Sequence, residues 1–516
     1  MSDLVDDGHV PVVVVGAGPT GITVATLLAQ YGIETLVLDK WPGVYRQPRA
    51  VHMDDEVVRI VARLGLADRF AAISRPALGL RLIDGKFDVL AEFRRDPSLS
   101  DNGFPRANMF DQPEFEALLR ANLAHHPEVR LRGDVEVTGV VAGAGGAIRV
   151  TAVDRVDGSA ISLTADYVLG CDGANSTVRR DIGSTMRALH FEQRWLVVDV
   201  ASDADLGQWE GVHQLCDPHR AGTYMRIGAN RYRWEFRLLP GESASDFDSI
   251  SALRPLIAPW TGQVADGDLH VLRVTDYTFR AQLADRWRSG GVFLLGDAAH
   301  LTPPFIGQGL GAGLRDAMNL AWKLAGVLTT ELPPSILDTY EKERKPHARS
   351  MIRLARNVGQ AMTSGGTVGD LARRVLVPRL HLLPGLGAKV LDSTTPALHR
   401  STLVRRRRAA AGLAGRLCPN PVVDGGARLD DLLGTGFAVI TTESLTASQL
   451  ERVTRRDALV HVDDPGTELA EWLRRGRARA ALVRPDRTVL RAGRDVAAVC
   501  DDLDHLRAPS TSRSIR

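Results

Sequence analysis

The chain has 516 residues, 44% of them hydrophobic, enough apolar material for more than one core, so two or three domains are expected. Its 64 basic and 62 acidic side chains leave a formal charge of +2, which argues against nucleic acid or an anionic membrane as the main partner and for small molecules. The cysteines Cys171, Cys216, Cys418 and Cys500 form no CxxC pair, the first residues are acidic, and no apolar run approaches about 18 residues; a cytoplasmic protein with no metal site, dithiol centre or membrane span is the expectation.

Residues 10–15 form an apolar run stopped by Gly16, the pattern of a strand buried on both faces of a parallel sheet. A helix over 22–31 and a strand over 35–38 complete a βαβ unit. Residues 135–168 alternate in short apolar runs broken at 143–146 and 157–158, which predicts antiparallel hairpins ending at the turn Cys171-Asp172-Gly173. Residues 195–239 read as strands, and 231–236 alternate with period two, so one face is aromatic. A buried strand is expected over 292–295 and a helix over 314–328. Residues 335–414 read as mostly helical, interrupted at Pro378 and Pro384, with the arginine run 405–408 on a solvated helix face. After Pro421, strands near 437–440, 458–462, 480–483 and 488–490 predict a small separate α/β domain, and 508–516 a loose tail.

Position gives Gly16-Ala17-Gly18-Pro19-Thr20-Gly21 its weight, because it joins a buried strand to a helix and Asp39 closes the next strand. Gly16 permits the tight turn, Gly18 lets a pyrophosphate approach the backbone, and Gly21 lets helix and strand pack closely; Asp39 would accept from a ribose hydroxyl. The fingerprint indicates a dinucleotide without separating NAD from FAD. A second glycine-rich segment runs from Gly296-Asp297 through Pro303-Pro304 to Gly307-Gln308-Gly309-Leu310-Gly311 and opens a helix. An acid after a buried strand suits a polyol chain, and N–H groups at a helix start suit the electron-rich edge of a flavin.

With a third segment, from Asp166 through Asp172-Gly173 to Arg179, the chain resembles the group A flavoprotein aromatic hydroxylases. It leans to the 3-(3-hydroxyphenyl)propionate hydroxylase branch through Trp41-Pro42, residues 48–56, residues 194–199 and Arg233-Trp234-Glu235-Phe236. The resemblance implies an α/β fold whose Rossmann-like, GR2-type FAD-binding domain spans 1–190 and 272–350. It further implies an inserted β-sheet substrate domain over 191–271, a helical region over 351–420, and a thioredoxin-like domain over 421–516. That last domain lacks CxxC, so an assembly or stabilising role is expected of it. Tightly bound FAD, NADPH or NADH as co-substrate, O2, hydroxylation of a small aromatic substrate through a flavin C4a-hydroperoxide, and a possible homodimer are implied as well. Lys40, Arg49, Gln112, Val137, Asp172, Gly173, Asp297, Pro304 and residues 307–311 join the first loop and Asp39 as implied cofactor contacts. Two departures stand out: Gly311 occupies a position where the family often has Asn, and Asp39 replaces the commoner Glu.

Among candidate catalytic groups, His52 has the ordinary pKa that suits proton traffic with a phenol, although a strand-end histidine bonded to backbone would leave the same sequence. Tyr224 and Arg226 are further catalytic candidates, with Tyr232, Arg233 and Pro303 on the substrate side; an arginine here would pair with a carboxylate tail. Asp54 and Asp55 read as a helix-start cap, and His300 as fixing its loop. No Trp-x-Trp pair occurs, which disfavours a flavin halogenase. A tailoring hydroxylase, an epoxidase and a non-catalytic flavin-binding scaffold stay open.

Overall fold

The computed structural model describes residues 8–44, 50–96, 98–217, 219–363, 395–406 and 412–506. The first sheet runs in the order Arg288–Ser289, Val292–Leu294, Ala160–Gly170, His9–Val15, Thr35–Leu38, Val129–Arg132, with Ile148–Asp154 paired antiparallel to Ala160–Gly170 and Val135–Ala142 antiparallel to Ile148–Asp154. His9–Val15 is parallel to both neighbours, and Val12, Val13 and Val14 are fully buried, which is why its second half, Val12 to Val15, is all valine. The helices Pro19–Ala29 and Gly309–Leu328 pack on each other against this sheet. Gly309–Leu328 begins earlier than the predicted 314, because its first turn is the glycine-rich segment itself.

The second sheet has eight strands in the order His300–Leu301, His270–Ala284, Met186–Ala201, Arg231–Arg237, Gly222–Arg226, Val212–Leu215, Gly79–Ile83, Val89–Arg94. It is therefore wider than the expected 191–271. The parallel pairing of Gly79–Ile83 with Val212–Leu215 recruits a hairpin from the first part of the chain, a non-local contact that leaves no local pattern. Its aromatic face, carrying Tyr224, Tyr232, Trp234 and Phe236, packs on Leu253, Ile257 and Trp260 of the helix Ile250–Thr261. A three-stranded sheet, with Ala107–Phe110 between His52–Asp54 and Ser74–Pro76, sits between the two larger layers.

Among the described residues the expected helical stretch includes Asp338–Thr363, with Pro346 inside it, while 395–406 and 412–423 contain no helix. Arg405 and Arg406 accordingly lie on no helix face. Arg405 pairs with Asp502 at 2.6 Å and Arg406 donates to the carbonyls of Leu398 and Ala414 at 2.6 and 3.2 Å. Pro378, Pro384, Arg407, Arg408 and the tail lie outside the described residues.

The C-terminal sheet has the order Leu459–Val462, Ala438–Thr441, Ala480–Val483, Val489–Gly493, its first pair parallel and the others antiparallel. Buried charge ties this unit to the rest. Glu343 accepts from Lys323 at 2.9 Å and Arg484 at 3.1 Å, Arg484 also pairs with Asp486, and all but Asp486 are fully inaccessible. Burial pushes the Glu343 carboxyl up, but the two cations outweigh it and hold it at about 2; burial also pushes Lys323 down, to about 8. Removing one member of such a cluster leaves an uncompensated buried charge. Glu343→Gln is expected to cost about 3–5 kcal/mol in denaturant unfolding, and a loss under about 1 kcal/mol would contradict this.

Candidate active site

The strands His9–Val15, Ala160–Gly170 and Val292–Leu294 are parallel neighbours, so the loops that leave them emerge along one sheet edge, where ligands of open α/β sheets bind. Gly16 has φ +102°, and a Cβ there would lie 2.5 Å from the Cys171 carbonyl oxygen. A Cβ on Gly21 would strike the Gly16 carbonyl oxygen. A Cβ on Gly296 would lie 2.9 Å from Thr20 Oγ1, and one on Gly313 would strike that same hydroxyl. These glycines are packed; others are open. Gly18 and Gly173 have nothing within 4 Å of their Cβ positions, and Gly309 has only the Thr302 oxygen at 4.0 Å. Gly18 and Gln308 are also the N-caps of the helices Pro19–Ala29 and Gly309–Leu328, and neither caps its helix through a side-chain hydrogen bond to the first backbone N–H groups. Two helix starts with open glycines are therefore available to an anionic, polar ligand, which is the donor set that a pyrophosphate and a flavin ring require.

Asp39 accepts the Ala17 N–H at 2.5 Å through Oδ2 and the Trp41 N–H at 2.8 Å through Oδ1. Lys40 beside it is exposed, its ammonium 5.6 Å from the Trp41 ring centre. Asp172 accepts the Ser176 hydroxyl at 2.5 Å and the Val178 N–H at 3.1 Å; burial raises its carboxyl above the usual range. Gln112 accepts the Ala50 N–H at 2.6 Å and donates to Glu116 at 2.6 Å, so it ties the segment before His52 to the helix Gln112–Asn122. Val137 belongs to the core, and Asp297 sits part-buried in the turn Gly296–Ala298. Arg49 lies outside the described residues.

The loop from Pro303 to Gly311 is held from below by charge that no local pattern reveals. Asp54, the N-cap of Asp55–Arg63, accepts the Val57 N–H at 2.9 Å, Gln308 Nε2 at 2.7 Å and an Arg315 nitrogen at 2.5 Å. Arg315 also donates to Glu56 and to Gln308 Oε1, each at 2.9 Å. Burial raises the Asp54 carboxyl, but Arg315 outweighs it and leaves it below the ordinary value. Asp316 receives Arg344 at 2.8 Å, His300 at 2.7 Å and the Gly296 N–H at 3.1 Å, so His300 does fix its loop. The signal in the sequence is the adjacent pair Arg315-Asp316 near the start of a mostly apolar helix. A Cβ on Gly311 would lie 2.8 Å from Val57 and 2.9 Å from Arg315, a physical reason for glycine where relatives often carry Asn.

His52 comes to this loop: a Cβ on Gly307 would lie 2.7 Å from its Nδ1. Burial, then the charge of Arg95, pushes its imidazole down to about 4, so it is neutral at physiological pH.

Tyr224, Arg226 and Tyr232 are not brought to the site. Tyr224 and Tyr232 lie in the core against Trp260, and Arg226 pairs with Glu210 at 2.8 Å beside the Tyr232 ring. Period two separates two faces but does not say which one meets the loops. The inner face carries Trp195, Arg233 and Glu235 instead. Arg233 is inner but committed: its Nε and a terminal nitrogen meet the two Asp199 oxygens at 2.6 and 2.9 Å. Pro303 is buried, and Pro304 begins a short turn whose Phe305 ring lies 5.7 Å from Trp195, 6.2 Å from Phe279 and 5.6 Å from Phe191. None of those four aromatics was singled out from sequence.

A family model described as "FAD binding domain" matches residues 9–355. A 3-(3-hydroxy-phenyl)propionate/3-hydroxycinnamic acid hydroxylase of Burkholderia vietnamiensis is 35% identical over 513 residues, covering 93% of this chain and 92% of its own. The chain belongs to the FAD-dependent aromatic hydroxylases. This hydroxylase is also 31% identical over 514 residues to a Rhodococcus jostii protein named "Probable NADH-specific resorcinol 4-hydroxylase", covering 95% of this chain and 93% of that one. Aklavinone-11 hydroxylase, solved with FAD and aklavinone, shares the fold at TM-score 0.79 and 24% identity over 97% of this chain and 99% of that one. FAD is thus the cofactor that the open glycine edge fits.

The split between packed and open glycines can be tested. At Gly18 the backbone is extended and no protein atom lies near, so Gly18→Val is expected to fold normally yet weaken FAD binding tenfold or more. Gly21→Val, which would strike backbone, is expected to lower the unfolding temperature too; fluorescence titration with FAD and thermal unfolding read the two effects.

Proposed function

We propose that this hydroxylase inserts one oxygen of O2 into a small phenolic or similarly electron-rich aromatic ring, with NADH or NADPH as reductant. The observation that supports this reading best is the aromatic inner face of the second sheet, Trp195 and Phe279, meeting Phe305 of the loop that also carries the open Gly309. Bound there, FAD supplies hydride acceptance and O2 activation. The chain's own residues do the rest. Gly16, Gly18, Pro19, Thr20 and Gly21 receive the pyrophosphate at a helix start, with Asp39, Lys40 and Gln112 around the adenosine side. Asp172, Gly173, Gly296 and Asp297 face the polyol chain, and Pro304 and residues 307–311 the ring. Trp195, Phe279 and Phe305 orient the substrate and exclude water, and neutral His52 accepts the phenolic proton at an imidazole nitrogen.

The relatives named for hydroxyphenylpropionate and for resorcinol favour a single phenolic ring. Tailoring of a larger metabolite is the second reading, favoured by the shared fold of aklavinone-11 hydroxylase. The C-terminal unit, with the strand order that a thioredoxin-like module has and no CxxC, stabilises the catalytic body; a cytoplasmic homodimer completes the proposal.

The test is incubation of FAD-loaded protein with NADH or NADPH and a panel of phenols, hydroxycinnamates and hydroxylated heteroaromatics. Substrate-dependent nicotinamide oxidation with a product heavier by one oxygen is expected; oxidation that no aromatic stimulates would end the reading. His52→Asn is expected to lower kcat by about 10²-fold with little change in substrate Kd. An acid limb near pH 4 in the wild type should vanish in that variant, because only the neutral imidazole accepts a proton and it persists down to about 4.

A further inference from the structure

Glu235 is a nearly buried carboxylate that no described residue satisfies. It is 9% exposed, and among the described residues its carboxylate has no hydrogen-bond partner. The cations that act on it, Arg233 and Arg273, both pair with Asp199, at 2.6 and 3.2 Å. Burial dominates and raises the Glu235 carboxyl above its ordinary value. A carboxylate this nearly buried, with no donor among the described residues, gains from a donor that another molecule supplies.

Strand register says where that something would sit. Tyr232, Trp234 and Phe236 point into the core on the outer face, so Glu235 points to the inner one. Its cross-strand neighbours are Val197 on one side and Thr223 on the other. Two residues before Val197 is Trp195, which meets Phe305. Two residues after Thr223 is Met225, which packs with Val51 and Met109. Glu235 therefore lies between the part of the sheet covered by the Pro304–Ile306 turn and the part covered by the strand that carries His52.

We infer that Glu235 is a specificity-determining residue: its carboxylate accepts a hydrogen bond from a hydroxyl or N–H group on the aromatic substrate. This rests on the proposed hydroxylation of a phenolic ring and adds the group that selects it. The preferred ligands carry a donor at this position, and an O-methylated ring, one methyl larger and without the donor, gives the carboxylate nothing to accept. Sites built to bond a hydroxyl reject analogues that lack it far more strongly than apolar pockets reject a methylene. Arg233, already engaged by Asp199, is not the group that reads the substrate here.

The experiment compares binding of resorcinol and of its mono- and dimethyl ethers to the FAD-loaded protein by isothermal titration, apart from any turnover. Wild type is expected to bind resorcinol at least tenfold more tightly than the dimethyl ether. Glu235→Leu should bring that ratio to within about twofold, and Glu235→Gln, which keeps an acceptor and nearly the same shape, should leave it intermediate. FAD content and unfolding temperature of each variant show that it is folded, and Glu235→Gln carries the test should Glu235→Leu not fold. A preserved ratio in the folded variants, or no preference in wild type, overturns the role of Glu235. Failure to hydroxylate any phenol would instead overturn the proposed reaction, and this binding ratio would still be readable.

Discussion

Three strand ends must approach one another to within van der Waals contact before this protein has a site at all, and backbone atoms set that distance. The Gly16 turn lies on the Cys171 carbonyl, Gly21 lies on the Gly16 carbonyl, and Gly296 and Gly313 close around one threonine hydroxyl. No side chain fits at those contacts. The consequence is a rigid edge on which the remaining glycines, at 18, 173 and 309, can leave room for a ligand.

Around that edge the protein spends charge rather than apolar contact. Asp54, Arg315 and Gln308 lock the loop before the long helix, and Asp316 gathers His300, Arg344 and a backbone N–H a turn away. Such clusters contribute little net stability compared with well-packed hydrophobes, but they admit few alternative arrangements. Here they fix the loop that faces the aromatic inner sheet. Positioning to a fraction of an ångström is what oxygen insertion demands of a scaffold whose chemistry comes from a cofactor.

Much of this was legible in the sequence, because strand, glycine and helix follow one another locally. The valine run before Gly16, the turn at Asp172-Gly173 and the segment after Gly296 all lie where their patterns place them. What stayed hidden is non-local. Tyr224 and Tyr232, a catalytic and a substrate candidate by sequence, pack in the core instead, because alternation defines two faces and only the helix Ile250–Thr261 decides which is covered. The hairpin at 79–94 was missed because its partner strand comes far later in the chain. Arg233 reads as a carboxylate clamp in the sequence but is held by Asp199 across the strand, and the burial of Glu235 is illegible because an acid in an alternating strand ordinarily faces water.

The salt cluster around Glu343 also bears on how the chain is assembled from its parts. Arg484 reaches it from the C-terminal sheet, while Lys323 and Glu343 itself belong to the two long helices, one of which opens at the flavin loop. The last unit is therefore not a detachable appendage. A chain cut before it would lose Arg484 and Asp486 together and uncover the Lys323–Glu343 pair on the two long helices, so a change on one side of this cluster requires an answering change on the other.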